Sequence, residues 1–139
     1  MSEKRKIRVL LADDESHVRL FIKGVLTSMG CEIVGEAADG RQALELFDKT
    51  APDLVLLDIV MPVMDGISVL KELRRRSDKV AIVMLTSQAS AEVVEQVLEA
   101  GANYHLRKDL PVSELKQELR DTWLAHVQDL TGNAPGGAA

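Results

Sequence analysis

Four apolar runs have the length and composition of β-strands. They cover residues 7–13, 32–36, 53–58 and 80–86. The third and fourth runs are uninterrupted rather than alternating, which is typical of strands that are covered on both faces in a parallel sheet. A fifth run at 104–108 is weaker and alternates, so it suits the edge of that sheet.

Segments with apolar residues at helical spacing lie between and after these runs. The first covers about Ser16 to Met29, and the fourth about Ser90 to Ala100. The second begins near Asp39-Gly40, the third after Asp65-Gly66, and the last around Pro111. Five repeats of strand then helix predict an α/β fold, with a doubly wound five-stranded parallel sheet and five helices. The predicted strand order is 2-1-3-4-5, the flavodoxin-like arrangement, because the most apolar strands belong in the centre.

Composition restricts the class of protein. The chain has 139 residues, a net charge of −5 and 46% apolar residues, which favours one globular domain and does not favour nucleic-acid binding. No apolar run approaches the roughly 20 residues that a membrane span needs. The single cysteine, Cys31, fits a reducing compartment, so the predicted location is cytoplasmic. The predicted organisation is a basic leader at 1–6, one domain at 7–130 and a disordered small-residue tail at 131–139.

Reactive side chains stand at the ends of four predicted strands. Asp13-Asp14 end the first strand, Asp58 the third, Thr86 the fourth and Lys108 the fifth. Since the carboxyl ends of parallel strands meet at one edge of the sheet, these side chains are expected to converge there. Asp53 and Asp65 are better interpreted as helix caps than as members of this site. Capping does not explain Asp58, because the residues that follow it are no helix start.

Three carboxylates in one crevice repel one another unless cations balance them. A divalent cation and the Lys108 ammonium together neutralise them. Carboxylate oxygens without histidine or cysteine ligands favour Mg²⁺. Such a crevice suits an anionic phosphoryl group, which a carboxylate can accept as an acyl phosphate.

Four motifs then carry a resemblance to the receiver domains of bacterial two-component response regulators, of the chemotaxis-regulator type. They are VLLADDE (9–15), LVLLDIVMPVMDG (54–66), VMLTS (83–87) and AGANYHLRKD (100–109). The match covers about residues 7–128, and the four motifs stand in the family's order.

The resemblance implies a phosphoacceptor in a His-to-Asp phosphorelay, rather than an enzyme that turns over an external substrate. Asp58 would accept the phosphoryl group, with Thr86 and Lys108 contacting its oxygens. Asp14 would bind Mg²⁺ directly and Asp13 mainly through water. Asp58 and the Val60 backbone carbonyl would complete the protein's metal ligands.

The implied partners are a sensor histidine kinase or phosphotransfer protein, and a downstream protein target that binds about residues 89–128. Direct DNA binding and membrane contact are not expected. Slow autodephosphorylation is compatible with this function.

Two positions depart from the family's pattern. His105 stands where an aromatic switch residue is common, so it is either an inward-turning switch or an edge histidine without a role. Asp109 follows Lys108 where proline is common. A cis bond before a non-proline residue costs roughly 2.5–4 kcal/mol, so a trans Lys108–Asp109 bond is predicted.

Two other functions stay open from the sequence. One is a degenerate receiver that binds partners without phosphorylation, although every acidic position and the lysine are present. The other is a hydrolase with an aspartyl nucleophile, similar to haloacid-dehalogenase phosphatases. Those enzymes carry an acid/base aspartate two positions after the nucleophile, where this chain has Val60.

Overall fold

The computed structural model describes residues 6–87 and 90–131, in which five strands alternate with five helices. The strands are β1 (Arg8–Ala12), β2 (Glu32–Ala37), β3 (Leu54–Asp58), β4 (Ala81–Thr86) and β5 (Tyr104–Arg107). The helices are α1 (Ser16–Ser28), α2 (Gly40–Thr50), α3 (Gly66–Arg76), α4 (Ala91–Glu99) and α5 (Val112–Thr131). The predicted leader and tail lie outside the described residues, apart from Lys6 and Thr131.

All five strands are parallel and their order is β2-β1-β3-β4-β5, which confirms the predicted fold. Every residue of β3 and β4 is buried, as their uninterrupted apolar sequences indicate. In the register, Ala12 pairs with Leu57, and Asp58 pairs with Leu85. The central strands therefore end at the same edge of the sheet.

Successive strand residues supply two separate cores, one on each face of the sheet. On one face, side chains such as Leu57 and Met84 pack against α2, α3 and α4. On the other face, side chains such as Leu56 and Leu85 pack against α1 and α5. Trp123 of α5 is half-buried against this second core. The sheet is thus covered on both faces, and the loops at its carboxyl edge are left to form a site.

Side-chain caps begin three of the helices. Asp39, Asp65 and Ser90 accept hydrogen bonds from backbone N–H groups in the first turns of α2, α3 and α4. The capping role predicted for Asp65 is confirmed, whereas the one for Asp53 is wrong. Asp53 precedes a strand, and its Oδ2 atom accepts the backbone N–H of Arg8 at 2.9 Å, which ties β1 to β3.

The β5–α5 connection contains the Lys108–Asp109 bond. No peptide bond in the described parts of the chain is cis, so this bond is trans, as predicted. The Asp109 carboxylate receives two hydrogen bonds from Arg107, at 3.0 and 2.7 Å. Within residues 6–87 and 90–131, no helix has the length and apolar character needed to cross a membrane.

Candidate phosphoryl-acceptor site

The carboxyl ends of four strands bring the predicted site residues into one crevice. Asp13 directly follows β1, Asp58 and Thr86 end β3 and β4, and Lys108 directly follows β5. Asp13, Asp58 and Thr86 are at most 5% exposed, whereas Asp14 is exposed. The open doubly wound sheet dictates this convergence, since residues distant in sequence leave adjacent strands at the same edge.

The loop after β3 orients Asp58. The Oδ1 atom of Asp58 accepts the backbone N–H of Val60 at 3.2 Å, and the Gly66 N–H closes the loop on the Ile59 carbonyl at 2.8 Å. A Cβ atom at Gly66 would lie 2.0 Å from the Asp58 carbonyl oxygen. Only glycine lets α3 begin this close to the end of β3, which gives the Asp65-Gly66 motif a structural reason.

Lys108 places its ammonium among three carboxylates. Its Nζ atom lies 2.8 Å from Asp13 Oδ2, 3.1 Å from Asp58 Oδ2 and 3.4 Å from Glu15 Oε1. The backbone N–H of Lys108 donates to the carbonyl of Thr86 at 2.8 Å, so β4 fixes the base of this side chain. The lysine is therefore held beside Asp58 by its backbone as well as by its charge.

Burial and charge act in opposite directions on the two ionised groups. Burial raises the pKa of Asp58 to about 6, and repulsion from Asp13 adds to this, while Lys108 opposes it. Burial lowers the pKa of Lys108, but its contacts with Asp13 and Asp58 more than offset that, so the net pKa is raised. At neutral pH the site thus contains an ionised carboxylate beside a charged ammonium.

The acidic residues form a group that is compatible with a Mg²⁺ site. Carboxylate oxygens of Asp13, Asp14 and Asp58 lie within 4.8 Å of one another. Within the described residues, the buried Oδ2 atom of Asp13 accepts no hydrogen bond, although the Lys108 ammonium lies at ion-pair distance. An all-oxygen set of three carboxylates is compatible with a small hard cation.

The crevice beside Asp58 has a volume of about 310 Å³. It is lined by Asp58, Ile59, Val60, Thr86, Ser87 and Val93. Val60, whose carbonyl the resemblance adds to the metal ligands, thus lines the same crevice as Asp58. A larger cavity of about 570 Å³ lies at the opposite, amino-terminal ends of the strands, and none of the predicted site residues line it.

His105 lies in β5, opposite Met84 of β4, and is partly buried. Its neighbour Leu106 packs in the α1/α5 core, so His105 and Arg107 are directed to the other face of the sheet. The Nδ1 atom of His105 is buried and has no hydrogen-bond partner in the described parts of the chain. This histidine is therefore not simply solvated at an edge.

Sequence reasoning missed two residues that bind Asp13 and hold it in place. The backbone N–H of Glu15 donates to Asp13 Oδ1 at 2.9 Å, and Arg19 Nη1 donates to the Asp13 carbonyl at 2.5 Å. Glu15 could have been noticed because glutamate is a poor helix cap at a position where serine or aspartate is usual. No pattern signals Arg19, which also pairs with Glu36 near the carboxyl end of β2.

Comparison with known proteins gives this arrangement its context. The family model described as "Response regulator receiver domain" matches residues 9–120. The chemotaxis protein CheY of Bacillus subtilis is 35% identical over 115 residues, which are 83% of this chain and 96% of that protein. The transcriptional regulatory protein PdtaR of Mycobacterium tuberculosis is 42% identical over 109 residues, or 78% of this chain and 52% of that protein. The chain thus spans nearly all of the chemotaxis protein and about half of the transcriptional regulator.

Solved structures agree with the fold. A chain of the CheX–CheY–BeF₃–Mg²⁺ complex of Borrelia burgdorferi superimposes with a TM-score of 0.81 at 28% identity, covering 84% of this chain and 89% of that one. Chemotaxis protein CheY4 of Vibrio cholerae gives a TM-score of 0.79 at 32% identity, covering 85% and 99%. The strand order, the acidic crevice and these similarities lead to one conclusion: the chain belongs to the response regulator receiver domain family of two-component signalling.

Proposed function

We propose that this chain is the phosphoacceptor of a His-to-Asp phosphorelay, and that Mg²⁺-dependent phosphorylation of Asp58 switches a partner-binding surface. The observation that carries this proposal is the position of Asp58. Its carboxylate is buried at the end of β3, 3.1 Å from the Lys108 ammonium, and belongs to an acidic group that fits a divalent cation.

In the proposed reaction, a carboxylate oxygen of Asp58 attacks the phosphorus of a phosphohistidine. The new O–P bond forms as the P–N bond breaks, the imidazole nitrogen keeps the bonding electron pair, and the imidazole returns to its neutral form by taking a proton from solvent. A pKa of about 6 leaves Asp58 mostly ionised at neutral pH, as a nucleophile must be. The Lys108 ammonium balances the phosphoryl charge, and the Thr86 hydroxyl offers a donor from the same crevice.

The metal would be held by Asp14 directly, by Asp13 mainly through water, and by Asp58 with the Val60 carbonyl. When bound, Mg²⁺ supplies positive charge that lets anionic reactants meet in an acidic crevice. The chain's own contribution is to fix these oxygens, through the N–H groups of Glu15 and Val60 that bind the Asp13 and Asp58 carboxylates.

The proposed output surface covers about residues 89–128, which include α4, β5 and α5. His105 lies within it, with its buried Nδ1 atom available for a new hydrogen bond. The phosphoryl source would be a sensor histidine kinase or phosphotransfer protein in the cytoplasm. Asp58 would lose its phosphoryl group slowly to water, without turnover of external phosphate esters.

Incubation with acetyl phosphate tests the proposal. In this reaction the acetate leaves with the electron pair of its P–O bond as Asp58 forms the new bond. The expected result is a mass gain of one phosphoryl group in Mg²⁺, none in a chelator, and none for Asp58→Asn. Asp48→Asn, which changes an exposed aspartate of α2, is the matched control and should be modified like wild type. Modification of Asp58→Asn, or equal modification in chelator, would contradict the proposal.

A further inference from the structure

Glu15, the residue that precedes α1, does not cap that helix with its side chain. Glu15 occupies the N-cap of α1 with extended backbone angles, yet its side chain makes no capping hydrogen bond. Asp39, Asp65 and Ser90 at the equivalent positions of α2, α3 and α4 all cap. The Glu15 side chain therefore accepts no hydrogen bond from the N–H groups in the first turn of α1, and its carboxylate is free to make another contact.

The Glu15 carboxylate is directed at Lys108. Its Oε1 atom lies 3.4 Å from Nζ, across 93 residues of sequence. Its side chain is 49% exposed, whereas the Lys108 side chain is 11% exposed. Glu15 is therefore placed at the mouth of the site, on the solvent side of the buried pairs that Lys108 makes with Asp13 and Asp58.

From this geometry we infer that Glu15 is a positioning residue, which tethers Lys108 in the unphosphorylated protein and must release it when a phosphoryl group binds. The inference rests on the proposed function, because Lys108 gains a new anionic partner only if Asp58 accepts a phosphoryl group. An ammonium that leaves Glu15 for the phosphoryl oxygens gives up an attractive contact, and Glu15 at the same time repels the incoming dianion. Glu15 thus weakens phosphoryl binding through a contact and through its charge.

Two variants separate these effects. Glu15→Gln keeps the length of the side chain and removes its charge, whereas Glu15→Asp keeps the charge and shortens the reach toward Lys108. A tether predicts that both variants bind fluoroberyllate, a phosphoryl mimic, more tightly in Mg²⁺. The expected gain is about two- to fivefold, the size of a partly exposed ion pair. Glu45→Gln, at an exposed carboxylate of α2, is the charge-matched control and should bind like wild type.

The Lys108 ammonium reports on the tether independently of phosphoryl chemistry. In the metal-free protein, its ¹⁵Nζ resonance is expected to shift in both Glu15 variants and to stay in place in Glu45→Gln. If wild type binds no fluoroberyllate, the proposed function fails. The Lys108 ammonium resonance is then the measurement that tests the tether. An unchanged Lys108 resonance in Glu15→Asp, or a gain in fluoroberyllate affinity confined to Glu15→Gln, would overturn the tether.

Discussion

The Lys108 ammonium lies closer to Asp13 than to Asp58, at 2.8 Å against 3.1 Å. Lys108 therefore neutralises the charge of Asp13 at least as effectively as it neutralises the charge of Asp58, the proposed acceptor. Since Asp13 belongs to the proposed metal ligands, a cation bound there would compete with Lys108 for that carboxylate. The unphosphorylated site is therefore held together by the same charges that phosphorylation would rearrange.

Asp58 is predicted to destabilise the metal-free fold above about pH 6. Its pKa is raised from 3.8 to about 6, so the folded protein keeps the proton in a range where the unfolded chain has lost it. The contribution of Asp58 to stability accordingly falls as the pH rises from about 4 to about 6, and then levels off. Asp58→Asn should therefore raise the free energy of unfolding at about pH 8 by about 2 kcal/mol, with no gain below about pH 4.

Urea denaturation in a chelator at several pH values measures this difference. Added Mg²⁺ should narrow it, because only the wild type retains every carboxylate that stabilises the bound ion. Lower stability of Asp58→Asn than of wild type at about pH 8 in chelator would show that the Lys108 pair outweighs the burial of Asp58.

Gly66 is predicted to stabilise the loop that follows Asp58. A Cβ atom there would meet the Asp58 carbonyl oxygen at 2.0 Å, so Gly66→Ala must displace the end of β3. Thermal and chemical unfolding should show a loss of about 1–3 kcal/mol, together with slower phosphorylation. Gly24→Ala is the control, because a Cβ atom at this exposed position in α1 meets nothing within 4 Å. It should gain about 0.5–1 kcal/mol. Equal behaviour of the two variants would contradict the steric account.

Val63 carries backbone strain in the loop after Asp58. Its φ angle is +71°, and the Met64 N–H donates to the Pro62 carbonyl at 2.7 Å around it. A β-branched side chain is disfavoured at such an angle, whereas asparagine tolerates it. Val63→Asn should raise the free energy of unfolding by about 1 kcal/mol. Val112→Asn, at another exposed valine, should not be stabilised, and a loss of stability in Val63→Asn would refute the strain argument.

His105 is predicted to transmit the state of the site to α4. Its Nδ1 atom is buried without a hydrogen-bond partner in the described residues, which costs free energy unless another state of the protein supplies a partner. In His105→Ala, fluoroberyllate should still bind, but the backbone resonances of α4 and β5 should shift less than in wild type. Asp48→Asn, at an exposed position of α2, is the control and should respond like wild type. An unaltered α4 response would leave His105 without a switching role.

The fold and the strand-end residues could be predicted because both depend on local patterns. Uninterrupted apolar strands indicate a doubly covered parallel sheet, and the sheet then brings Asp13, Asp58 and Lys108 to one edge. Contacts between distant side chains could not be predicted. The Glu15–Lys108 contact spans 93 residues, and no periodicity records it.

Arg74 shows the same limit. It donates to the Gly101 and Val80 carbonyls and to Asn103 Oδ1, and so ties α3 to the α4–β5 turn and the start of β4. In the sequence it appears only as one of three adjacent arginines at a helix end, where cations are common. The cap predicted at Asp53 is wrong for a similar reason, since its partner Arg8 lies 45 residues away.

The central claim is that the phosphoryl group resides on Asp58, and chemical mapping of the modified residue tests it most directly. Borohydride reduces an acyl phosphate to an alcohol, so a phosphorylated aspartate becomes homoserine and a free aspartate is unchanged. After reaction with acetyl phosphate and Mg²⁺, peptide mass spectrometry should find homoserine at position 58, with Asp13 and Asp14 unaltered. Homoserine at position 13 or 14, or an intact Asp58 in protein that has gained a phosphoryl group, would contradict the account.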